Sequence, residues 1–191
     1  IIVGAMALFV VLSVFSGLKE FSLSFTNEID PDLKATPTLG KSFFVTPKQD
    51  QEIKKIAGIA SFSKIIEERV LFTFADKQEV TYLKGVDTQF TKVNAIEKKL
   101  YNGQWLQPNT YQVVVGYGMA QKFSMGLFDY NTALEVMVPR PGKGTITIPS
   151  EAFNQTDLIP IGIYSISEDL DSKYVFADLG LAQELLEYQP N

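Results

Sequence analysis

The sequence has 191 residues, of which 46% are hydrophobic, and it carries 17 basic against 22 acidic side chains, a formal net charge of −5. This size and composition fit one ordinary folded domain or two small lobes, and the acidic balance argues against nucleic acid as a partner. His and Cys are both absent, which excludes His-based catalytic triads, thiol catalysis, disulfides and zinc sites made of His or Cys.

The chain begins with eighteen uncharged residues before its first charge, Lys19. In a helix they extend about 27 Å, close to the ~30 Å hydrocarbon core of a bilayer. We therefore predict that residues 1–18 are a membrane span or its cut end. One alternative is a secretory signal peptide, although a basic start and a cleavage site are missing; another is a helix buried in a soluble core. Because an initiator Met is lacking, we expect a fragment of a longer chain.

An apolar stripe continues this helix beyond the uncharged block. Val14, Leu18, Phe21 and Phe25 recur at alternating spacings of four and three, which places them on one helical face. A helix that carries such a stripe into water needs a partner for it, either the body of the domain or a second helix. Pro31 ends the helix, because the residue before a proline is pushed out of the α region.

Two short strands and a helix are predicted next. The strand candidates are residues 32–38 and 42–45. Thr46 as N-cap and Pro47 at the first helical position open the helix, and Gly58 ends it.

The hydrophobic pattern then changes to the alternation of an antiparallel meander. Three strands are predicted, at residues 59–66, 69–75 and 79–86, with residues 76–78 as the tight connection between the last two. Residues 87–110 lose the periodicity and predict short helical pieces and turns.

The last part of the chain returns to strands paired with helices. The apolar run at residues 111–116 predicts a strand that is buried on both faces. The further predicted elements are a helix over 117–124, a strand over 132–138, a hairpin of strands 158–167 and 173–177 around an acidic turn, and a last helix capped by Asp178.

Helix-paired strands at both ends therefore bracket an all-strand middle. The predicted fold class is α+β in two lobes, with residues 58–110 inserted as a β-rich lobe. The other lobe is made of two parts, residues 19–57, which include the helical stalk, and residues 111–191. The sequence shows no recognisable domain end at Asn191, so we expect the chain to continue beyond it.

No stretch of the sequence predicts an active site, a metal site or a cofactor site. A strand, Gly-x-Gly and helix at residues 113–121 match part of a dinucleotide motif, but Gln121 stands where a small residue is needed. Residues 142–145 resemble part of a phosphate-binding loop, but Gly144 interrupts the Gly-Lys-Ser/Thr order that such a loop requires. Two carboxylate clusters are expected to be solvated at turns rather than to serve acid–base chemistry. They are Glu67 with Glu68, and Glu168 with Asp169 and Asp171.

The segment from Pro139 to Pro149 is the candidate for partner binding. It is rich in Pro and Gly, so we expect it to be stiff and to project, and binding segments are often presented on such loops. An ordinary β-hairpin connection is the alternative. The candidate partner-binding residues are Pro139, Arg140, Pro141, Lys143 and Pro149.

Stretches spread along the whole chain carry a resemblance to a known family. They are VVLSVFSGLKE, DPDLKATPTLGKSF, LKGVD, VVVGYGMAQKF and LEVMVP. Together they resemble the extracytoplasmic domain of ABC transporter permeases of the MacB, LolC, LolE and FtsX type. The segments DPDLK and GKSF and the tail IYSISEDLDSKYVFADL are most similar to the lipoprotein-releasing LolC and LolE branch.

This resemblance implies a periplasmic domain that follows the first transmembrane helix of a bacterial inner-membrane protein. It implies a Porter-like lobe, residues 19–57 and 111–191, and a Sabre-like lobe inserted at residues 58–110. The implied partners are a cytoplasmic ATPase, a second permease copy or a sister permease, lipoprotein cargo and a periplasmic chaperone. No enzyme activity and no cofactor are implied for this domain.

The resemblance also implies a mechanism. Motion driven by ATP hydrolysis would pass along the first helix, whose stripe would pack in the permease dimer, and would release lipoproteins to the chaperone. A loop at the position of residues 139–149 would hook that chaperone. Three further apolar spans would follow Asn191 in the full chain.

Two alternatives stay open. The same fold would suit a MacB-like exporter of drugs, peptides or toxins, or an FtsX-like regulator of wall hydrolases. From a different class, the chain would be a secreted enzyme that works with carboxylates, and replacing Glu67, Glu68, Asp169 or Asp171 would then abolish its turnover.

Overall fold

The structure, a computed structural model, describes residues 2–26, 31–127, 132–140 and 152–188, and it describes the side chains of the first helix as far as residue 19. The described helices are α1 Ile2–Thr26, α2 Pro47–Lys54, α3 Phe90–Val93, a 3₁₀ helix Ile96–Lys99, α4 Tyr117–Phe123, α5 Glu168–Asp171 and α6 Leu179–Leu185. The described strands are β1 Ile65–Phe74, β2 Lys77–Val86, β3 Leu100–Gly103, β4 Gln112–Gly116, β5 Leu134–Pro139, β6 Phe153–Tyr164 and β7 Tyr174–Asp178.

These strands form one sheet that closes on itself. Their order is β3-β6-β4-β7-β2-β1-β5, and β5 also pairs with β6. The closure runs through β6, because residues 153–158 pair with β5 while residues 159–164 pair with β4. Six strands therefore form a ring of pairings, and β3 is added outside the ring, on β6.

The two faces of the sheet pack against two different sets of side chains. On β4, Val113 and Val115 join one core and Val114 joins the other, as expected from the alternation of side chains along a strand. The first core also takes in the apolar faces of α4 and α6, and the second takes in Phe90, Ile96 and Trp105. The prediction of a strand buried on both faces is confirmed for the three valines, which are 0% exposed, whereas Tyr111 lies before β4 and is 45% exposed.

Helix α6 lies close to β2 at a glycine. A Cβ atom added at Gly85 would overlap the Cβ of Ala182 and lie 3.5 Å from the Cα of Leu179. The predicted cap of this helix is confirmed, because the Asp178 carboxylate accepts a hydrogen bond from Gly180 N at 3.0 Å. The helix thus starts directly after β7 and turns back over the sheet.

The predicted start of α2 is confirmed. Thr46 Oγ1 accepts a hydrogen bond from Gln49 N at 3.3 Å, and Gln49 Oε1 accepts one from Thr46 N at 2.9 Å, which together make a capping box. The helix ends at Lys54, before Gly58, whose φ of +97° is the left-handed conformation that glycine adopts readily.

The predicted strands at 32–38 and 42–45 are wrong, and the two strands predicted at 59–66 and 69–75 are a single strand, β1, which begins only at Ile65. A strand needs a neighbour, and the residues before β1 find side-chain partners instead. Ser63 Oγ and Lys64 N both donate to the Asp87 carboxylate, at 2.6 and 3.0 Å. Alternation in the sequence was therefore insufficient to form a strand here.

The turn between β1 and β2 is tighter than predicted. Phe74 pairs with Lys77, so Ala75 and Asp76 alone make the connection and residue 77 already belongs to β2. Ala75 has φ 53°, the positive value that two-residue hairpin turns require at a central position.

The predicted hairpin of residues 158–167 and 173–177 is also wrong. The two strands exist as β6 and β7, but β4 lies between them, parallel to β6 and antiparallel to β7. The segment that joins them is the short helix α5 rather than an acidic turn. Ser167 caps this helix through its side chain, which is why the EDLD segment forms a short helix instead of a tight turn.

The structure is mixed α and β, as the predicted α+β class requires. One sheet runs through both predicted lobes, because β1 and β2 lie within residues 58–110 and pair with β5 and β7 from residues 111–191. The division into 19–57, 58–110 and 111–191 stays a prediction.

Candidate functional site

Helix α1 exposes its apolar side chains on every face of its described part. Residues Ile2–Lys19 have a mean hydropathy of 2.1 and none of them is buried; Val14 is 63% and Leu18 61% exposed. A helix buried in a soluble core is therefore the wrong interpretation of these residues. These residues are long and apolar enough to cross a membrane, and a signal sequence would meet the same criteria of length and composition. Phe21 and Phe25 belong to α1, but their side chains lie outside the described residues.

The segment that follows α1 is fastened to the sheet by ion pairs. Lys41 Nζ lies 2.7 Å from Glu68 Oε1, and Lys34 Nζ lies 3.6 Å from Glu67 Oε2. The hydrogen bond to Glu68 raises the pKa of Lys41, so this ammonium stays charged. We call these four residues, together with Lys84 and Tyr174, the junction.

Lys84 is the buried centre of the junction. Its side chain is 4% exposed, and its Nζ lies 3.9 Å from Glu67 Oε2 and 4.7 Å from the centre of the Tyr174 ring. The Tyr174 hydroxyl donates a hydrogen bond to Glu67 Oε1 at 3.3 Å. Burial raises the pKa of Tyr174, because the phenolate is poorly solvated there. The cluster therefore joins β1, β2 and β7 to the segment after α1.

A second basic group covers Tyr174 from outside. Lys173 Nζ lies 4.8 Å from the Tyr174 ring centre and 5.6 Å from that of Tyr82. The pKa of Lys173 is raised, chiefly through its hydrogen bond with Tyr174. Cations over aromatic faces in this geometry are attracted by the ring quadrupole.

The prediction that Glu67 and Glu68 are solvated at a turn is wrong. Both lie within β1, and their side chains are only 23% and 17% exposed. Each is paired with a lysine, so the two glutamates connect the preceding segment to β1. In the described ranges, no group of three or more His, Cys, Asp or Glu side chains is arranged to hold a metal ion.

Asp171 also departs from the sequence prediction, because it is 4% exposed. Its carboxylate accepts hydrogen bonds from Ser165 Oγ at 2.9 Å and from Ile166 N at 2.8 Å. Glu168 and Asp169 of the same helix are exposed as predicted. The buried carboxylate therefore closes the loop between β6 and β7 and has a structural role.

The base of the candidate partner-binding segment is a continued strand pairing. Pro139 is the last residue of β5, and Arg140 N donates a hydrogen bond to Ala152 O at 2.9 Å. Arg140 Nε donates to Asn154 Oδ1 at 2.6 Å and lies 3.7 Å from Glu187 Oε1. The remaining candidates, Pro141, Lys143 and Pro149, lie outside the described residues.

An open groove lies beside Arg140. Its volume is about 850 Å³, and its walls come from β5, β6 and α6. Met137, Leu181 and Leu185 contribute apolar surface, and Glu184 and Glu187 contribute acidic groups. Arg140 thus stands at one wall of the groove, held by a polar network.

Sequence reasoning missed Lys84 and Tyr174. One signal was available, since Lys84 interrupts an otherwise apolar end of β2, between Leu83 and Val86. A charged residue at such a position needs a partner from another strand. Glu67 lies directly opposite Lys84 in the β1–β2 pairing, whereas the contribution of Tyr174 was inaccessible, because Tyr174 and Glu67 are 107 residues apart.

No protein-family model and no curated protein sequence matches the chain. Among solved structures, it resembles the extracellular domain of the noncanonic ABC-type transporter YknZ from Gram-positive bacteria, with a TM-score of 0.51 at 10% identity. The chain has the same fold as that domain. The similarity covers 73% of this chain and 65% of the YknZ domain, so the chain spans less than two thirds of the latter's length.

A second solved structure of the same kind is similar at a lower score. It is the periplasmic region of MacB from Actinobacillus actinomycetemcomitans, with a TM-score of 0.48 at 16% identity, covering 73% of this chain and 57% of that one.

Proposed function

We propose that this chain is the extracytoplasmic domain of an ABC transporter permease and that it works as a transmission element rather than as an enzyme. The observation that carries the proposal is the shared fold with the extracellular domain of YknZ. The exposed apolar helix at the N-terminus supports it, because such a helix is long enough to cross a bilayer. The domain then stands on the outer side of the cell membrane, on the end of a first transmembrane helix.

The junction gives this transmission a physical route. Movement of α1 pulls on the segment after it, and Lys34 and Lys41 pass that movement to Glu67 and Glu68 on β1. β1 belongs to a closed ring of strands, so it cannot shift without its neighbours. A displacement at the membrane therefore reaches the whole sheet.

For the cargo we propose lipoproteins, which the permease releases from the inner membrane to a periplasmic chaperone. The sequence stretches that resemble the LolC and LolE branch support this choice. The partners are then a cytoplasmic ATPase, a second permease copy or sister permease, and the chaperone. The two-lobed Porter-like and Sabre-like division belongs to the same proposal, as does the packing of Val14, Leu18, Phe21 and Phe25 in the permease dimer.

The permease assignment is tested by purifying the full-length protein in mild detergent and measuring ATPase activity. We expect a nucleotide-binding subunit to copurify and to hydrolyse ATP. We also expect Lys41→Glu, which places like charges at the junction, to reduce ATP-dependent transport several-fold. Lys98→Glu is the matched control, since Lys98 is exposed and lies outside both the junction and α2. Equal effects of the two variants, or the absence of an ATPase, would refute the transmission role.

The cargo is tested by crosslinking. A photoreactive amino acid replaces Arg140 in the full-length protein, and a control carries it at Tyr101, which is 68% exposed on β3. We expect position 140 alone to capture a lipoprotein chaperone. Capture of an efflux partner or of a wall hydrolase at position 140 would instead favour the MacB-like or the FtsX-like alternative.

A further inference from the structure

The surface of α2 and of the segment before it exposes a contiguous group of large apolar side chains. Phe43, Phe44, Ile53 and Ile56, which we call the α2 surface, line an open groove of about 310 Å³. Phe44 is 64% and Ile56 53% exposed, and no residue of α2 is buried. Single exposed apolar residues are ordinary, but a contiguous patch marks a surface that binds something.

The charge around this patch is opposite to that of the rest of the chain. Residues 31–64 contain six Lys and three acidic residues, a net charge of +3, although the whole chain carries −5. Lys41, Lys48 and Lys54 each pair with a carboxylate, of Glu68, Glu52 and Asp50 respectively, yet their side chains remain accessible, at 73%, 86% and 63% exposed. The patch is therefore an apolar surface with a basic border on an otherwise acidic domain.

This combination fits the surface of an anionic membrane. Aromatic and aliphatic side chains enter the boundary between headgroups and acyl chains, while Lys side chains meet the lipid phosphates. The acidic remainder of the domain is repelled by the same phosphates, which orients the basic side toward the lipid.

Chain connectivity keeps this surface near the membrane. Phe43 follows the last residue of α1, Thr26, by only seventeen positions. A fully extended chain of that length reaches about 60 Å at most. A tether of this kind raises the effective concentration of the α2 surface at the bilayer, so that a weak affinity is sufficient for docking.

We propose that the α2 surface docks on the anionic lipid headgroups of the membrane that α1 enters. The proposal rests on the placement of α1 in a bilayer under the proposed function and adds a second, peripheral contact. That contact restrains the segment which Lys34 and Lys41 fasten to β1. The charge of the lipid headgroups thereby influences how closely movements of the junction are coupled to those of α1.

The test uses the full-length protein in phosphatidylcholine vesicles with and without phosphatidylglycerol. An environment-sensitive fluorescent amino acid replaces Phe44, and headgroup-labelled nitroxide lipids serve as quenchers. A matched control carries the probe at Tyr101, which is 68% exposed on β3. We expect quenching at position 44 to be several-fold stronger than at position 101, and to fall when phosphatidylglycerol is omitted.

One charge variant and one apolar variant make this test more specific. Lys48→Gln is expected to weaken docking by up to about fivefold, the effect of one basic group near an anionic surface. Phe43→Ser is expected to reduce quenching at position 44 in both lipid mixtures. Both side chains are exposed, so neither change threatens the fold.

Two results would overturn the docking proposal. One is equal quenching at positions 44 and 101. The other is close approach of two position-44 probes in neighbouring copies without quenching by lipid, which would assign the surface to a second copy of the chain. A probe at Val11 with acyl-chain quenchers reports separately on α1. If position 11 is quenched and position 44 is not, docking alone fails; if position 11 is unquenched, the membrane placement of α1 fails first.

Discussion

The ammonium of Lys84 lies 4.7 Å from the centre of the Tyr174 ring and 3.9 Å from Glu67 Oε2, with its side chain 4% exposed. Three strands are held together at this point, since the residues come from β2, β7 and β1. A buried ammonium is costly unless it is paired, so the three side chains depend on one another.

Lys84→Ala is expected to lower the free energy of unfolding by about 3 kcal/mol, because it leaves Glu67 without its buried partner. The measurement is chemical denaturation of the chain in detergent. Lys122→Ala is the control, since Lys122 pairs with Glu79 at 3.7 Å at the surface, with side chains 48% and 37% exposed. That change is expected to cost less than about 1 kcal/mol. Equal losses would show that the buried cluster contributes no more than an exposed pair.

Tyr164→Phe is expected to lower stability by about 1–2 kcal/mol at neutral pH. The Tyr164 ring is fully buried, and its single hydroxyl proton is shared between the carbonyl oxygens of Leu170 at 2.8 Å and Tyr174 at 2.9 Å. Tyr101→Phe is the control, because Tyr101 is 68% exposed, and its stability change is expected to be near zero. Denaturation of both variants at neutral pH measures the difference.

The same tyrosine predicts a loss of stability at alkaline pH. Burial raises the pKa of Tyr164 well above its ordinary value of 10.0. Since the folded-state pKa exceeds the unfolded one, this contribution is complete below about pH 10 and is lost as pH rises through the folded pKa. We expect unfolding free energy to fall above pH 10, and to fall less steeply in Tyr164→Phe. Parallel declines in the two proteins would contradict this assignment.

Asp171→Ala is expected to destabilise the chain by about 2 kcal/mol, because Ser165 Oγ and Ile166 N lose their acceptor. Asp169→Ala in the same helix removes an exposed carboxylate and is expected to change stability by less than about 0.5 kcal/mol. Thermal unfolding of the two variants compares them directly. A larger effect at Asp169 would show that the buried carboxylate is not the one that closes the loop.

Gly116→Ala is expected to cost about 1–3 kcal/mol, because an added Cβ would lie 2.6 Å from the carbonyl carbon of Asp171 and 2.7 Å from its Cα. Gly126→Ala is the matched change at an open position, where an added Cβ meets nothing within 4 Å. Its stability is expected to stay within about 0.5 kcal/mol of the parent. Denaturation midpoints of both variants provide the test, and similar midpoints would mean that β4 and α5 separate easily.

Features set by neighbouring residues could be predicted from the sequence. The long apolar run of α1, the capping box at Thr46 and the cap at Asp178 depend on residues within one or two helical turns. The apolar run at 113–115 showed that this strand would be buried on both faces. These properties need no knowledge of distant segments.

The order of the strands and the burial and pairing of the carboxylates were decided only by the tertiary structure. Placing β4 between β6 and β7 replaced a local hairpin with pairings between distant segments. The pairing of Glu67 with Lys84 required the register of β1 on β2, and the Tyr174 hydroxyl came to Glu67 from 107 residues away. Sequence alone determined where helices begin and which segment is long and apolar enough to cross a bilayer, because those properties are local. Which strand meets which, and whether a charge is buried, depends on how all the segments share one core, so only the folded chain decides it.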